Sequence, residues 1–114
     1  MPTWDDVAEL GSRLPGVEPS TSYGTPALKV RGKLICRMRT DPDALVLRVA
    51  DTGEREALLQ GEPATFFTTR HYDGYPYVLV RLDRVDREEL GALLEDTWRA
   101  RAPKRLVAQH DAAR

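Results

Sequence analysis

The sequence has no asparagine, only three lysines and a single cysteine, Cys36. One thiol excludes an internal disulfide and suits a reducing compartment. Of the two histidines, His71 has only Asp73 as a nearby potential ligand. A structural metal site needs four ligands, so no metal is expected. Long apolar runs are also missing: nothing approaches the roughly 20 residues that span a bilayer. The opening MPTWDDVAEL is acidic and lacks the basic-then-apolar order of a secretory leader. A cytoplasmic location without a membrane partner is the expectation. Motifs for phosphate or acyl chemistry are absent too. Gly32-Lys33 runs into Leu34 rather than Ser or Thr, and neither G-x-G-x-x-G nor G-x-S-x-G occurs. The acids are scattered and nominate no catalytic pair. The reading is a non-enzymatic domain that needs no cofactor.

What is present begins with arginine, which outnumbers lysine fourteen to three. Its planar fork suits phosphates and guanine edges. A GC-rich genome also raises arginine, so position matters more than count.

The 114 residues suit one domain. Trp4, Val7, Ala8, Gly11 and Leu14 recur at helical spacing, with Thr3 as the candidate cap and Pro15-Gly16 as the stop. PGVEPSTSYGTP then reads as a loop. Three alternating segments follow: Leu28 and Val30; then, after a tight turn at Gly32-Lys33, Leu34, Cys36 and Met38; then, after Asp41-Pro42-Asp43, Leu45, Leu47 and Val49. Residues 54–60 form a short helix capped by Asp51 or Thr52 and stopped by Gly61. Strands are predicted near 65–70 and over 77–84, and Asp86 caps a last helix striped by Leu90, Leu93, Leu94 and Trp98, with Pro103 ending it. The parity leaves open whether Phe66 or Phe67 faces inward, and the last segment, KRLVAQHDAAR, has no clear partner. The result is an α+β fold, α-β(3)-α-β(2)-α: a two-layer, antiparallel sheet of about five strands with both terminal helices on one face.

Charge sorts by element. Residues 28–50 carry six bases against two acids, whereas residues 86–98 carry five acids against one base. Alternation puts Lys29, Arg31, Arg37, Arg39, Arg48 and Arg81 on the open side of the sheet, among Ile35, Val46 and Leu79. Lys33 belongs to the same basic stretch, and Lys104 with Arg105 extends it. A basic surface with apolar inserts suits a polyanion; the outer face of any one-sided sheet must also be polar. The run RHYDGYPY adds His71, Tyr72 and Tyr75 beside an arginine, and Tyr23 lies ahead of the first strand. Such aromatics stack on unpaired bases or grip a protein, and they also pack against a sheet edge.

Several of these stretches resemble the MmcQ/YjbR family of small bacterial proteins. They are Ser22-Tyr23-Gly24-Thr25-Pro26, Lys29-Val30-Arg31-Gly32-Lys33, Tyr75-Pro76-Tyr77-Val78, and Trp98 through Ala102-Pro103-Lys104-Arg105. The resemblance covers nearly the whole chain. It implies a single domain over residues 1–106 with a tail at 107–114, and a two-layer fold similar to that of type III secretion chaperones and often compared with CyaY. It also implies DNA binding. The leading expectation is therefore a nucleic-acid-binding domain, with Lys29, Arg31, Lys33, Arg37, Arg39, Arg48, Arg81, Lys104 and Arg105 on phosphates and Tyr23, His71, Tyr72 and Tyr75 as stacking or loop contacts. A protein-interaction or chaperone-like module centred on Ile35, Val46 and Leu79 is the alternative. A small-ligand or anion site is the third reading, and it requires a concavity near Tyr23 and His71.

Overall fold

The computed structural model describes residues 2–40 and 43–113. In chain order the elements are α1 (Trp4–Ser12), β1 (Val17–Ser22), β2 (Thr25–Val30), β3 (Lys33–Arg39), β4 (Ala44–Arg48), α2 (Thr52–Gly61), β5 (Phe66–Phe67), β6 (Tyr77–Val80), α3 (Arg87–Arg101) and α4 (Lys104–Ala112). Short 3-10 turns occupy Arg70–Tyr72 and Leu82–Arg84. The strands form one antiparallel sheet in the order β1-β2-β3-β4-β6-β5. The α+β class is as expected, with six strands rather than five. The Asp41-Pro42 part of the expected second turn lies outside the described residues.

The helices begin where the sequence supplies caps. The Asp51 carboxylate accepts from the Glu54 N–H at 2.8 Å, and Asp86 accepts from Glu89 at 2.7 Å. At α1 the Thr3 N–H donates to the Asp6 carboxylate at 2.8 Å. That bond is the main reason the Asp6 carboxyl sits below its usual range. Val7, Leu28, Val30, Cys36, Leu45, Leu47, Phe66, Val78, Val80, Leu90, Leu94 and Trp98 form the core between helices and sheet. Gly11 is where α1 comes closest to the sheet: a Cβ there would lie 2.3 Å from Leu28 Cδ1. Arg87 bridges α3 to α1, pairing with Asp6 and, at 2.8 Å, with Glu9.

Four differences from the sequence reading have physical causes. The expected loop at 15–26 contains β1, an edge strand with mostly exposed Ser, Thr, Pro and Glu side chains and no apolar alternation to reveal it. The β2–β3 turn is Arg31-Gly32, not Gly32-Lys33. Its φ values of 51° and 81° are positive at both central residues, the primed geometry that matches strand twist. The register slips between Leu28 and Lys29, so that Leu28 faces Cys36 while Lys29 faces Leu34. This bulge puts Ile35 into the helix-side core and Leu34 on the opposite face, reversing the predicted pair. Finally, Pro103 ends one helix and caps another: α4 inserts Leu106 into the core, and the His110 ring meets Trp98 edge-on at 5.1 Å.

The side of the sheet away from the helices is not bare. Residues 68–77 fold back across it, and Tyr72 packs with Ala44, Val46 and Leu79 in a second small apolar cluster flanked by Phe67 and Tyr77. Val46 and Leu79, expected as an exposed apolar centre, are buried beneath it.

Candidate functional site

Two devices build the site. The first is the β1–β2 turn, Tyr23-Gly24, with φ of 52° and 75°. Glycine takes this backbone freely, whereas a tyrosine there costs about 1–2 kcal/mol. The strained residue is also 87% exposed, so its ring is presented outward rather than held by packing. Strain of that kind is characteristically retained at functional sites.

The second device is the 68–77 segment, which a residue far away in sequence anchors. Arg55 of α2 is buried. It donates from Nε to the Tyr77 carbonyl at 3.0 Å and from a terminal nitrogen to the Thr68 hydroxyl at 2.9 Å. It pairs with Glu56 at 2.6 Å and approaches Asp73 at 3.9 Å. Sequence reasoning missed Arg55, since a lone base in an acidic helix gives no sign that it points inward.

Between these devices lies a groove of about 490 Å³. Leu34, Arg37, Val46 and Tyr77 come from the strands, and Tyr23, His71, Tyr72 and Tyr75 wall it. An adjoining hollow of about 460 Å³ shares Tyr23, Arg37, His71 and Tyr72 and extends to Arg39 and Thr69. Arg37 is the hub. It donates to the Tyr72 hydroxyl at 2.6 Å, to the Met38 carbonyl at 3.3 Å, and lies 5.0 Å from the Tyr23 ring centre. The Tyr72 ring meets His71 edge-on at 5.0 Å and Tyr77 at 5.7 Å. Tyr75 remains 60% exposed at the groove.

The basic residues divide into four groups. Arg37, Arg48 and Arg81 lie over aromatic rings: Tyr23, Tyr77 at 5.6 Å and Phe67 at 4.2 Å, respectively. Arg81 also donates to the carbonyls of Pro63 and Ala64, so part of its role is to fasten that loop. Arg39, half-buried, reaches the adjoining hollow. Lys29, Arg31 and Lys33 sit on the β2–β3 hairpin, the last two exposed. Lys104 and Arg105 belong to α4, whose Leu106 enters the helix-side core; they do not join the groove residues.

No group of three or more metal-ligating side chains occurs among the described residues. Cys36 is fully buried, and burial pushes its thiol up to about 12, far from a reactive thiolate. No helix is long and apolar enough to cross a membrane, among the described residues.

A one-sided antiparallel sheet, helices on one face and an arginine–tyrosine groove on the other, defines a small two-layer α+β domain. The chain belongs to the YjbR family, whose model matches residues 12–100. Uncharacterized protein Rv2570 of Mycobacterium tuberculosis is 36% identical over 121 residues, covering 94% of each chain. Uncharacterized protein Mb2600 of Mycobacterium bovis matches to the same extent. Among solved structures, the crystal structure of Deinococcus radiodurans protein DR2400, a DUF419 domain, superposes with a TM-score of 0.71 at 28% identity, over 86% of this chain and 77% of that one.

Proposed function

We propose that this domain binds single-stranded nucleic acid across the sheet face that carries the groove, without catalysing a reaction. The observation that carries the reading is the groove itself: Tyr23 and Tyr75, the exposed large apolar side chains among the described residues, both line a concavity that also holds Arg37. Exposed rings beside fixed cations suit unpaired bases and their phosphates, and each stacked base contributes about 1–3 kcal/mol. Lys29, Arg31 and Lys33 would meet the backbone beyond the groove. The acids concentrate in the helices on the other side, among them Asp5, Glu9 and Glu88, so the molecule has a basic face despite a net charge of -1. The protein-contact reading loses its apolar centre, because Ile35, Val46 and Leu79 are buried.

The small-ligand reading is favoured by one observation: a concavity does exist near Tyr23 and His71, and its volume lies in the range of small-molecule sites. Strand length separates the two readings. In fluorescence anisotropy, a labelled oligonucleotide should bind more tightly than a matched duplex or a mononucleotide, and its affinity should fall as salt rises. Lys29→Glu/Arg31→Glu/Lys33→Glu should weaken it tenfold or more. Binding that ignores strand length would support a small ligand, and no binding at low salt would overturn the nucleic-acid proposal.

A further inference from the structure

Thr68 and Thr69 are neighbours with opposite bonding. The Thr68 hydroxyl accepts from Arg55 at 2.9 Å and donates to the Thr69 carbonyl at 3.3 Å. That carbonyl also accepts the Tyr72 N–H at 3.0 Å. The Thr69 hydroxyl, by contrast, is buried without a hydrogen-bond partner in the protein, and it does not cap the 3-10 turn that begins at Arg70. A buried hydroxyl left unbonded is costly, and folded proteins keep few of them. Thr69 lines the hollow of about 460 Å³ that adjoins the tyrosine groove.

Arg37, Arg39 and His71 line the same hollow. Among the described residues no carboxylate pairs with Arg37, whose bonds go to the neutral oxygens of Tyr72 and Met38. Its charge is therefore not cancelled within the protein. The groove next to it is aromatic and apolar, with Leu34, Val46, Tyr75 and Tyr77 in its walls, and the two concavities share Tyr23, Arg37, His71 and Tyr72. A ring-lined surface beside a cationic hollow with a spare hydroxyl matches the two halves of a nucleotide unit, base and phosphate.

We propose that the hollow is the phosphate subsite of the tyrosine groove, holding the phosphodiester attached to the base that stacks there. The Thr69 hydroxyl donates to one phosphate oxygen, and Arg37 and Arg39 supply the positive charge. The subsite rests on the nucleic-acid reading of the groove, and it gives one phosphate of the strand a fixed position that the exposed hairpin cations do not provide.

The test compares a labelled single-stranded oligonucleotide with a labelled peptide nucleic acid of the same bases, which has no phosphate, by anisotropy on the whole chain at one salt concentration. The wild type should bind the oligonucleotide more tightly. Thr69→Val removes the hydroxyl and leaves the charge unchanged. It should weaken oligonucleotide binding about tenfold and leave the peptide nucleic acid unaffected. Thr69→Ser keeps the hydroxyl and should bind both ligands like the wild type, whereas Tyr23→Ala/Tyr75→Ala should weaken both alike. Thr69→Val should also melt at or above the wild-type temperature, because the hydroxyl it loses leaves no partner behind. If Thr69→Val binds the oligonucleotide as tightly as the wild type while the tyrosine variant does not, the subsite is overturned and the groove reading stands. Equal weakening of both ligands by Thr69→Val would make the residue a support for the groove wall and would overturn the subsite too. A wild type that binds neither ligand overturns the nucleic-acid reading and the subsite with it.

Discussion

The Arg37 guanidinium donates to the Tyr72 hydroxyl at 2.6 Å while lying 5.0 Å from the centre of the Tyr23 ring. A strand residue thereby ties together a turn from one part of the chain and a folded-back segment 35 positions on in sequence. All three residues line the groove, so their interactions bear on stability and on the proposed binding.

Tyr72→Phe removes the acceptor and leaves the Arg37 charge partly buried with one bond fewer. Hydrogen bonds to charged groups contribute about 1.5–3 kcal/mol, and partial exposure places this one at the lower end. Urea unfolding should show a loss of about 1–2 kcal/mol, with a weaker nucleic-acid interaction as the groove wall loosens.

Tyr23→Asn should separate stability from binding. Asparagine accepts the left-handed turn more readily than tyrosine, offsetting the lost contact with Arg37. The unfolding free energy should stay within about 1 kcal/mol of wild type. Anisotropy should nevertheless show roughly tenfold weaker binding of a single strand, the size of one lost stacking contact.

Arg55→Ala leaves the Tyr77 carbonyl and Thr68 hydroxyl without their partner. A destabilisation of about 2–3 kcal/mol is expected. Hydrogen exchange should speed up most in residues 68–77, the segment that Arg55 holds, and least in β2 and β3.

Cys36 gives a pH dependence of known sign. Burial raises its folded pKa from 9.0 to about 12. Below pH 9 the thiol is protonated in both states and its contribution is fully present. Between pH 9 and about 12 the unfolded chain gives up the proton first, so stability falls as pH rises, by up to about 1.4 kcal/mol per pH unit. Other groups titrate in that range, so the measurement is the difference between wild type and Cys36→Val. The variant should lose less stability between pH 8 and pH 10.5, and native Cys36 should resist thiol reagents until the chain unfolds.

The core helices and their starts were legible because local chemistry sets them: Asp86 caps its helix as the sequence predicts, Asp51 is the one of two candidates that caps α2, and Leu90, Leu94 and Trp98 fall on one buried stripe. The central strands were legible for the same reason, since period-two alternation follows one-sided burial. That rule fails at Ile35, where one extra residue in β3 exchanges the faces of Leu34 and Ile35 without altering composition. It fails at β1 because an edge strand with little buried surface needs no alternation. The groove was legible in its parts, Tyr23, Arg37, His71, Tyr72 and Tyr75, which the sequence nominated as contacts. Their assembly was not, because it depends on a fold-back fixed by Arg55 and on a tyrosine in a backbone conformation that composition does not signal.

The most direct test is the affinity of a short single-stranded oligonucleotide for wild type and for Tyr23→Ala/Tyr75→Ala, at low salt and with folding checked by circular dichroism. Both rings are largely exposed, so the fold should survive their loss. The account predicts that the wild type binds, that the double variant loses one hundredfold or more, and that the remaining weak binding keeps its salt dependence. Equal affinity in the two proteins would contradict it: the tyrosines would then be bystanders and the groove would not be where bases lie.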